Sequence, residues 1–268
     1  VTETIDTQAL LELATEVARR AGRMLRDERP RDLGVTYTKS SPTDVVTEMD
    51  TASEKLIVEA LRAARPEDGF LGEEGASDTS ASGVRWIIDP IDGTVNYLYD
   101  LPGWAVSIAA EVRGEVAAGV VYVPGQDETF TAVRGGGAFR NGEPIRCTRG
   151  VPLERALVAT GFAYAAARRA AQAEVLRGLL PRVRDIRRFG SAAVDLCMVA
   201  CGRVDAYYER GVNLWDYAAG KLIAEEAGAR VGGLRGEPAS PELILAAAPD
   251  LYEQLHDLLA ELGADRDS

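Results

Sequence analysis

The sequence predicts a layered fold of mixed α+β and α/β character, with two lobes sharing a cleft. Three patterns lead to it. Apolar residues recur at helical spacing near the start, a series of strands broken by glycine turns runs from Trp104 to Cys147, and strands alternate with helices after about residue 150. The expected division is an α+β lobe at residues 1–148 and an α/β lobe at 149–268.

Leu10, Leu13, Ala14, Val17, Ala21, Met24 and Leu25 fall on one face of a first helix that ends before Pro30. Val35–Thr38 alternates like a strand, and Ser40-Ser41-Pro42 punctuates it. Thr47 is placed to cap a second helix with Asp50 three residues on, and Pro66 closes that helix. Asp50 therefore belongs to the first turn, where the helix dipole favours its ionised form. Gly72-Glu73-Glu74-Gly75 reads as a flexible acidic turn, followed by a Ser/Ala/Gly/Thr-rich loop up to Val84.

Strands are then expected at Ala105–Val112, Val116–Val123 and Thr129–Arg134, with a hairpin at Asn141-Gly142. The Gly135-Gly136-Gly137 run lacks the Lys-Ser/Thr of a phosphate loop and reads as a hairpin connection. Further on, Ala156–Thr160, Ile186–Phe189, Val204–Glu209 and Leu243–Ala247 read as strands. Helices are expected from Ser191 through Ala200, from Trp215-Asp216 to near Gly228, and from Pro249 to Leu262.

Composition bounds the function. Hydrophobic residues make up 46% of the chain alongside mixed charges, as in a soluble globular protein. A net charge of −12 argues against a nucleic-acid or anionic-membrane surface and suits a protein that gathers divalent cations. Cys147, Cys197 and Cys201 have no zinc-ligand spacing, and the single histidine, His256, gives a His-based triad little support. With no signal-peptide pattern or long apolar run, a cytoplasmic location is expected.

Chemistry concentrates in Trp86-Ile87-Ile88-Asp89-Pro90-Ile91-Asp92-Gly93-Thr94. An apolar strand is expected to stop at Asp89-Pro90, because proline cannot donate to the sheet ladder. Asp89 and Asp92 then sit on a tight loop where Gly93 allows close approach of a ligand. Glu73 and Asp216 also fall on a turn or a helix start. Such carboxylates suit Mg2+, which takes oxygen ligands and keeps waters that a phosphate can displace. Paired ions would neutralise a transferring phosphoryl group, while Thr94, its hydroxyl proton accepted by Asp50, orients the attacking water.

Each position also has an ordinary structural reading. Asp89–Asp92 could be a plain acidic turn, Asp50 a dipole-matched helix residue, and Asp216 a capping residue. Glu74 reads as solvated.

Taken together, these motifs resemble the inositol monophosphatase family, within the larger group of Mg2+-dependent, Li+-sensitive sugar phosphatases. The resemblance rests on Lys39–Asp50, Gly72-Glu73-Glu74, Trp86–Thr94 running on through Asn96-Tyr97 to Ala109, and Leu214–Gly220. It implies an αβαβα sandwich of the inositol monophosphatase and fructose-1,6-bisphosphatase type, usually a homodimer, that hydrolyses phosphate monoesters with two or three Mg2+ ions. By that resemblance Glu73, Asp89, the carbonyl of Ile91, Asp92 and Asp216 are metal ligands, and Asp50 and Thr94 activate water. Asp92, Gly93, Thr94, Gly190, Ser191, Ala192, Glu209 and Asp216 meet the substrate. The ordinary reading of Gly190-Ser191-Ala192 is a strand-to-helix turn, that of Glu209 a surface acid at a strand end, and that of Lys39 a solvated lysine.

The expected reaction is hydrolysis of myo-inositol monophosphate, a small phosphorylated polyol, without nucleic acid or membrane. Histidinol phosphate, fructose 1,6-bisphosphate and adenosine 3′,5′-bisphosphate are alternative substrates. Aspartyl-phosphate phosphatases carry Asp-x-Asp-Gly-Thr, whereas this chain has one more residue between its carboxylates, which argues for water as nucleophile. A binding protein that has kept the fold is the non-enzymatic alternative.

Overall fold

The computed structural model describes residues 5–30, 33–39 and 45–266; Ser40-Ser41-Pro42-Thr43-Asp44 of the first motif lies outside the described residues. The chain opens on α1 (Thr7–Asp27), whose first turn is capped by Asp6 accepting from the N–H groups of Gln8 and Ala9. A two-residue antiparallel pair, β1 (Tyr37–Thr38) and β2 (Val45–Val46), leads to α2 (Glu48–Ala64). β3 (Gly69–Gly72), β4 (Ser77–Asp78) and β5 (Val84–Asp92) follow, then the short α3 (Thr94–Leu98). A meander completes the first sheet: β6 (Ala105–Val112), β7 (Glu115–Val123), β8 (Glu128–Val133), β9 (Gly137–Arg140) and β10 (Glu143–Ile145). Its order is β10-β9-β8-β7-β6-β5-β3-β4, with β3 and β5 parallel and the other neighbours antiparallel.

The second sheet alternates with helices: β11 (Leu157–Thr160), α4 (Ala166–Leu179), β12 (Asp185–Arg187), α5 (Ala192–Ala200), β13 (Ala206–Glu209), α6 (Leu214–Glu226), β14 (Arg230–Gly232), β15 (Ile244–Ala247) and α7 (Pro249–Glu261). Its order is β12-β11-β13-β15-β14.

Side-chain alternation along the strands stacks these elements into five layers. On β5, Trp86 and Ile88 face α1 and α2, while Ile87 faces α5 and α6. The second sheet turns Tyr207 and Ala246 toward α5 and α6, and Tyr208, Leu245 and Ala247 toward α4 and α7. Because α5 lies between two sheets, all nine of its residues are buried, which explains its run of small and apolar side chains. Gly119 on β7 gives α6 room: a Cβ there would lie 3.0 Å from the Cα of Ala219. Among the described residues no helix is long and apolar enough to cross a membrane.

Two expectations are corrected. β5 does not end at Pro90. Its pairing with β6 passes from Asp89–Ser107 to Asp92–Ala105, and the extra residue is absorbed in a bulge, where the missing N–H of Pro90 breaks no ladder bond. The chain also contains α4, over a stretch where the sequence pattern predicts no element. Of its fourteen residues only Val175 and Leu179 are buried, so no apolar stripe marks it in the sequence.

Candidate active site

The β5 bulge re-aims two carboxylates into a cleft of about 790 Å3, whose lining includes Glu73, Asp89, Ile91, Asp92, Gly93, Thr94, Gly190, Ser191, Ala192, Glu209 and Asp216. Asp50 does not line it; Asp50 reaches it through Thr94. Gly93, at φ 94°, turns the chain from β5 into α3, and a Cβ there would stand 3.1 Å from the carbonyl of Gly190. Glycine therefore satisfies both the left-handed backbone and the close approach of the Gly190 loop.

Thr47 and Asp50 form the expected capping box at the start of α2. The Thr47 N–H and hydroxyl donate to Asp50 Oδ2 at 2.8 and 2.6 Å. Thr94 Oγ1 lies 3.0 Å from Asp50 Oδ1 and 3.1 Å from the Ile91 carbonyl. A hydroxyl has one proton, so engagement of the Ile91 oxygen elsewhere would commit Thr94 to Asp50. Burial pushes the Asp50 carboxyl up to about 6, against the lowering effect of Thr47 and Thr94.

Asp92 bridges the layers. Its Oδ2 accepts from the Ser191 hydroxyl and the Ala193 N–H, both at 2.6 Å, so an acid on β5 satisfies the first turn of α5. Burial raises its pKa to about 6 while these donors lower it. Asp216 sits in the first turn of α6 and accepts from the Asn213 N–H at 2.6 Å. Here the capping role weighed in the sequence reading is observed, alongside the position on the cleft.

The acids act on one another. Asp89 is raised well above its usual range by burial, then by Glu73, Asp92 and Asp216. Asp216 is raised by burial, then by Asp92 and Glu73. Lys39 binds Glu73 and Glu74 at 2.9 and 2.6 Å, and the two acids raise its pKa against the effect of burial. Glu74 is thus not solvated, as expected from sequence, but held by Lys39 and by the Tyr37 hydroxyl at 2.9 Å.

Among the described residues no three His, Cys, Asp or Glu side chains stand close enough to grip a single ion as they lie. The donor set nonetheless fits a hard divalent cation. It offers carboxylate and carbonyl oxygens, and the acids raise one another's pKa, with Lys39 the only cation among the described residues in direct contact with Glu73.

The sequence profile of the inositol monophosphatase family matches residues 6–265. The chain belongs to that family. The inositol-1-monophosphatase SuhB of Mycobacterium tuberculosis is 47% identical over 234 residues, covering 83% of this chain and 80% of the relative. The Nus factor SuhB of Pasteurella multocida is 40% identical over 250 residues, covering 92% and 94%. The structure of the extragenic suppressor protein SuhB from Bartonella henselae matches with a TM-score of 0.88 at 39% identity, covering 94% of this chain and 98% of that one.

As an inositol monophosphatase family member the chain is an enzyme, a Mg2+-dependent phosphomonoesterase, and its five layers match the sandwich of its relatives. Two positioning residues escaped the sequence reading. Glu54, four residues after Asp50 on α2, accepts from the N–H groups of Glu74 and Ala76 at 2.8 and 2.9 Å and so fixes the Glu73 turn. An acid on the buried face of an amphipathic helix was the available signal. Asn96, on α3, donates to the carbonyls of Gly103 and Phe189 at 2.9 and 2.7 Å, tying the Gly93 turn to the Gly190 loop.

Proposed function

We propose that this chain hydrolyses myo-inositol monophosphate to inositol and phosphate, using two or three Mg2+ ions. The observation that carries the proposal is the sharing of one cleft by Glu73, Asp89, Asp92, Asp216, Thr94 and Glu209, residues more than 130 positions apart at the extremes. Glu73, Asp89, the Ile91 carbonyl, Asp92 and Asp216 would hold the ions. When bound, Mg2+ supplies charge neutralisation on the phosphoryl group and makes water more acidic.

The chain's own side chains supply the rest. Asp50 accepts the Thr94 proton, which leaves the Thr94 oxygen free to receive a hydrogen bond from the attacking water and aim it. Gly93 and Thr94 meet the phosphate. Glu209, whose Oε2 already accepts from the Tyr207 hydroxyl at 2.8 Å, accepts further hydrogen bonds from polyol hydroxyls. Gly190, Ser191 and Ala192 border the ring. The relative named as an inositol-1-monophosphatase supports this substrate. The same resemblance supports a cytoplasmic homodimer acting on a small soluble ester.

A panel of phosphate esters assayed with and without Mg2+ tests the proposal. Inositol 1-phosphate should lead, with turnover lost without Mg2+ and in Asp89→Asn. A kcat/KM for histidinol phosphate far above that for inositol 1-phosphate would overturn the substrate.

A further inference from the structure

The cleft is larger than the proposed reaction fills. Its volume of about 790 Å3 lies in the upper part of the range for drug-sized ligands, roughly 300–1,000 Å3, whereas a single phosphorylated ring is a small ligand. Beyond the acids, the Gly93 and Gly190 turns and Glu209, its lining includes Phe162 and Tyr164 from the β11–α4 loop, Ala167 and Ala171 from α4, and Val212 and Asn213 from the β13–α6 loop. None of these has a part in the reaction as described. β11 and β13 are parallel neighbours, so the loops leaving their carboxyl ends emerge on the same side of the sheet. Glu209 ends β13 against Gly161, the first residue after β11, where a Cβ would run into its carboxyl. The polyol contact and the β11–α4 loop are therefore continuous.

α4 fixes the backbone of that loop. The Ala163 N–H donates to Gln172 Oε1 at 2.9 Å, and Arg169 Nη1 donates to the carbonyls of Ala163 and Tyr164 at 3.2 and 2.6 Å. Two aromatic side chains are thereby presented at the cleft before any ligand arrives, which lowers the ordering cost of binding. Ala167 and Ala171, one turn apart, turn small side chains to the same cavity instead of a packed core. The nearby cations are answered. Arg188 lies at electrostatic range of Asp92, Asp195 and Glu209, Arg210 pairs with Glu242 at 3.3 Å, and Arg168 is likewise partnered. Aromatic faces and methyl groups, with the exposed amide of Asn213, suit an uncharged ring that has apolar faces and polar edges, which is the character of a sugar.

We infer that this side of the cleft is a subsite for a sugar unit carried on the polyol, so that the chain accepts glycosylated inositol monophosphates, with Tyr164 and Phe162 stacking on the added ring. This deepens the phosphatase reading above and rests on it. The bond that breaks is unchanged, and inositol 1-phosphate remains first among the unsubstituted esters. The probes are inositol 1-phosphate and its derivatives with one glucosyl unit on each remaining hydroxyl in turn. Phosphate release by the full chain with Mg2+ should show, for at least one derivative, a kcat/KM roughly five- to tenfold above that of inositol 1-phosphate, the worth of one aromatic contact. Tyr164→Ala and Phe162→Ala should each bring that ratio toward one, mainly through the KM of the glucosylated ester.

The inference fails if every derivative is cut no better than inositol 1-phosphate, or if the ratio survives both substitutions. An equal loss on both esters also overturns it, because the aromatic residues would then belong to the inositol ring itself. Release from none of the esters, inositol 1-phosphate included, overturns the phosphatase reading as well. Tyr164 is 42% exposed, and thermal melting of each variant separates folding losses from binding losses.

Discussion

Asp50→Asn should change how stability depends on pH in the metal-free protein. The Asp50 carboxyl titrates at about 6 when folded against 3.8 as the unperturbed value, mainly because it is buried. A raised folded pKa means that the native state holds its proton where the unfolded chain has released it. The associated stability is fully present below pH 3.8 and is lost as pH rises through about 6. At roughly 1.36 kcal/mol per pH unit, the gap amounts to about 3 kcal/mol. Asparagine does not titrate, so this component vanishes, although the variant is weaker overall because an amide cannot accept from Thr47 and Thr94 together. Urea unfolding in EDTA, at several pH values from 4 to 7.5, measures the difference between wild type and variant. Contributions from the other buried acids cancel in that difference. The stability gap should be about 2 kcal/mol larger at pH 4 than at pH 7, because at pH 4 the unfolded carboxyl has already begun to ionise. Parallel pH profiles would refute the account of Asp50.

Other perturbations have equally definite outcomes. Thr94→Val keeps the shape but removes the hydroxyl, and kcat on inositol 1-phosphate should fall roughly 10²–10⁴-fold with KM little changed; a loss under threefold would remove Thr94 from the chemistry. Gly161→Ala places a methyl on all three carboxyl atoms of Glu209, so the KM for inositol 1-phosphate should rise roughly tenfold, the worth of one hydrogen bond, while an unchanged KM would count against Glu209 as a polyol contact. Trp86→Phe removes the donor that reaches Asp68 at 2.9 Å in the core, and should cost about 1–3 kcal/mol in urea unfolding without altering Mg2+ dependence.

Much of this fold was legible because its signals are local. Thr47 and Asp50 reciprocate three residues apart, Asn141-Gly142 supplies the positive φ angles of a tight hairpin, and Ser191 caps α5 as its position suggested. α4 was missed for the opposite reason: its alanines and arginines leave no stripe, and its helix is secured by tertiary packing through Val175 and Leu179. The bulge at Pro90–Ile91 was also hidden. Proline signals that a ladder bond is absent, yet only the partner strand decides whether the strand ends or bends around the gap.

In the site, the acids on turns and helix starts could be picked out by residue type. Their holders could not. Glu54 acts on backbone groups 20 and 22 residues away, and Asn96 on one 93 residues away, a relation set by packing rather than spacing. Glu74 shows the reverse case, since an acid in a flexible turn looked free until Lys39 and Tyr37 folded over it.

The two bonds at Asp92 Oδ2 tie the end of β5, an inner strand of the first sheet, to the sandwiched helix. One carboxylate oxygen anchors the first turn of α5, and the same side chain lines the cleft. Any sliding of the middle layer against the sheet therefore tilts that carboxylate by the same motion, with no slack between them. Core substitutions far from the mouth, among the tightly nested alanines of α5 and α6, would in this way be felt as changes in cation affinity before the protein loses its shape.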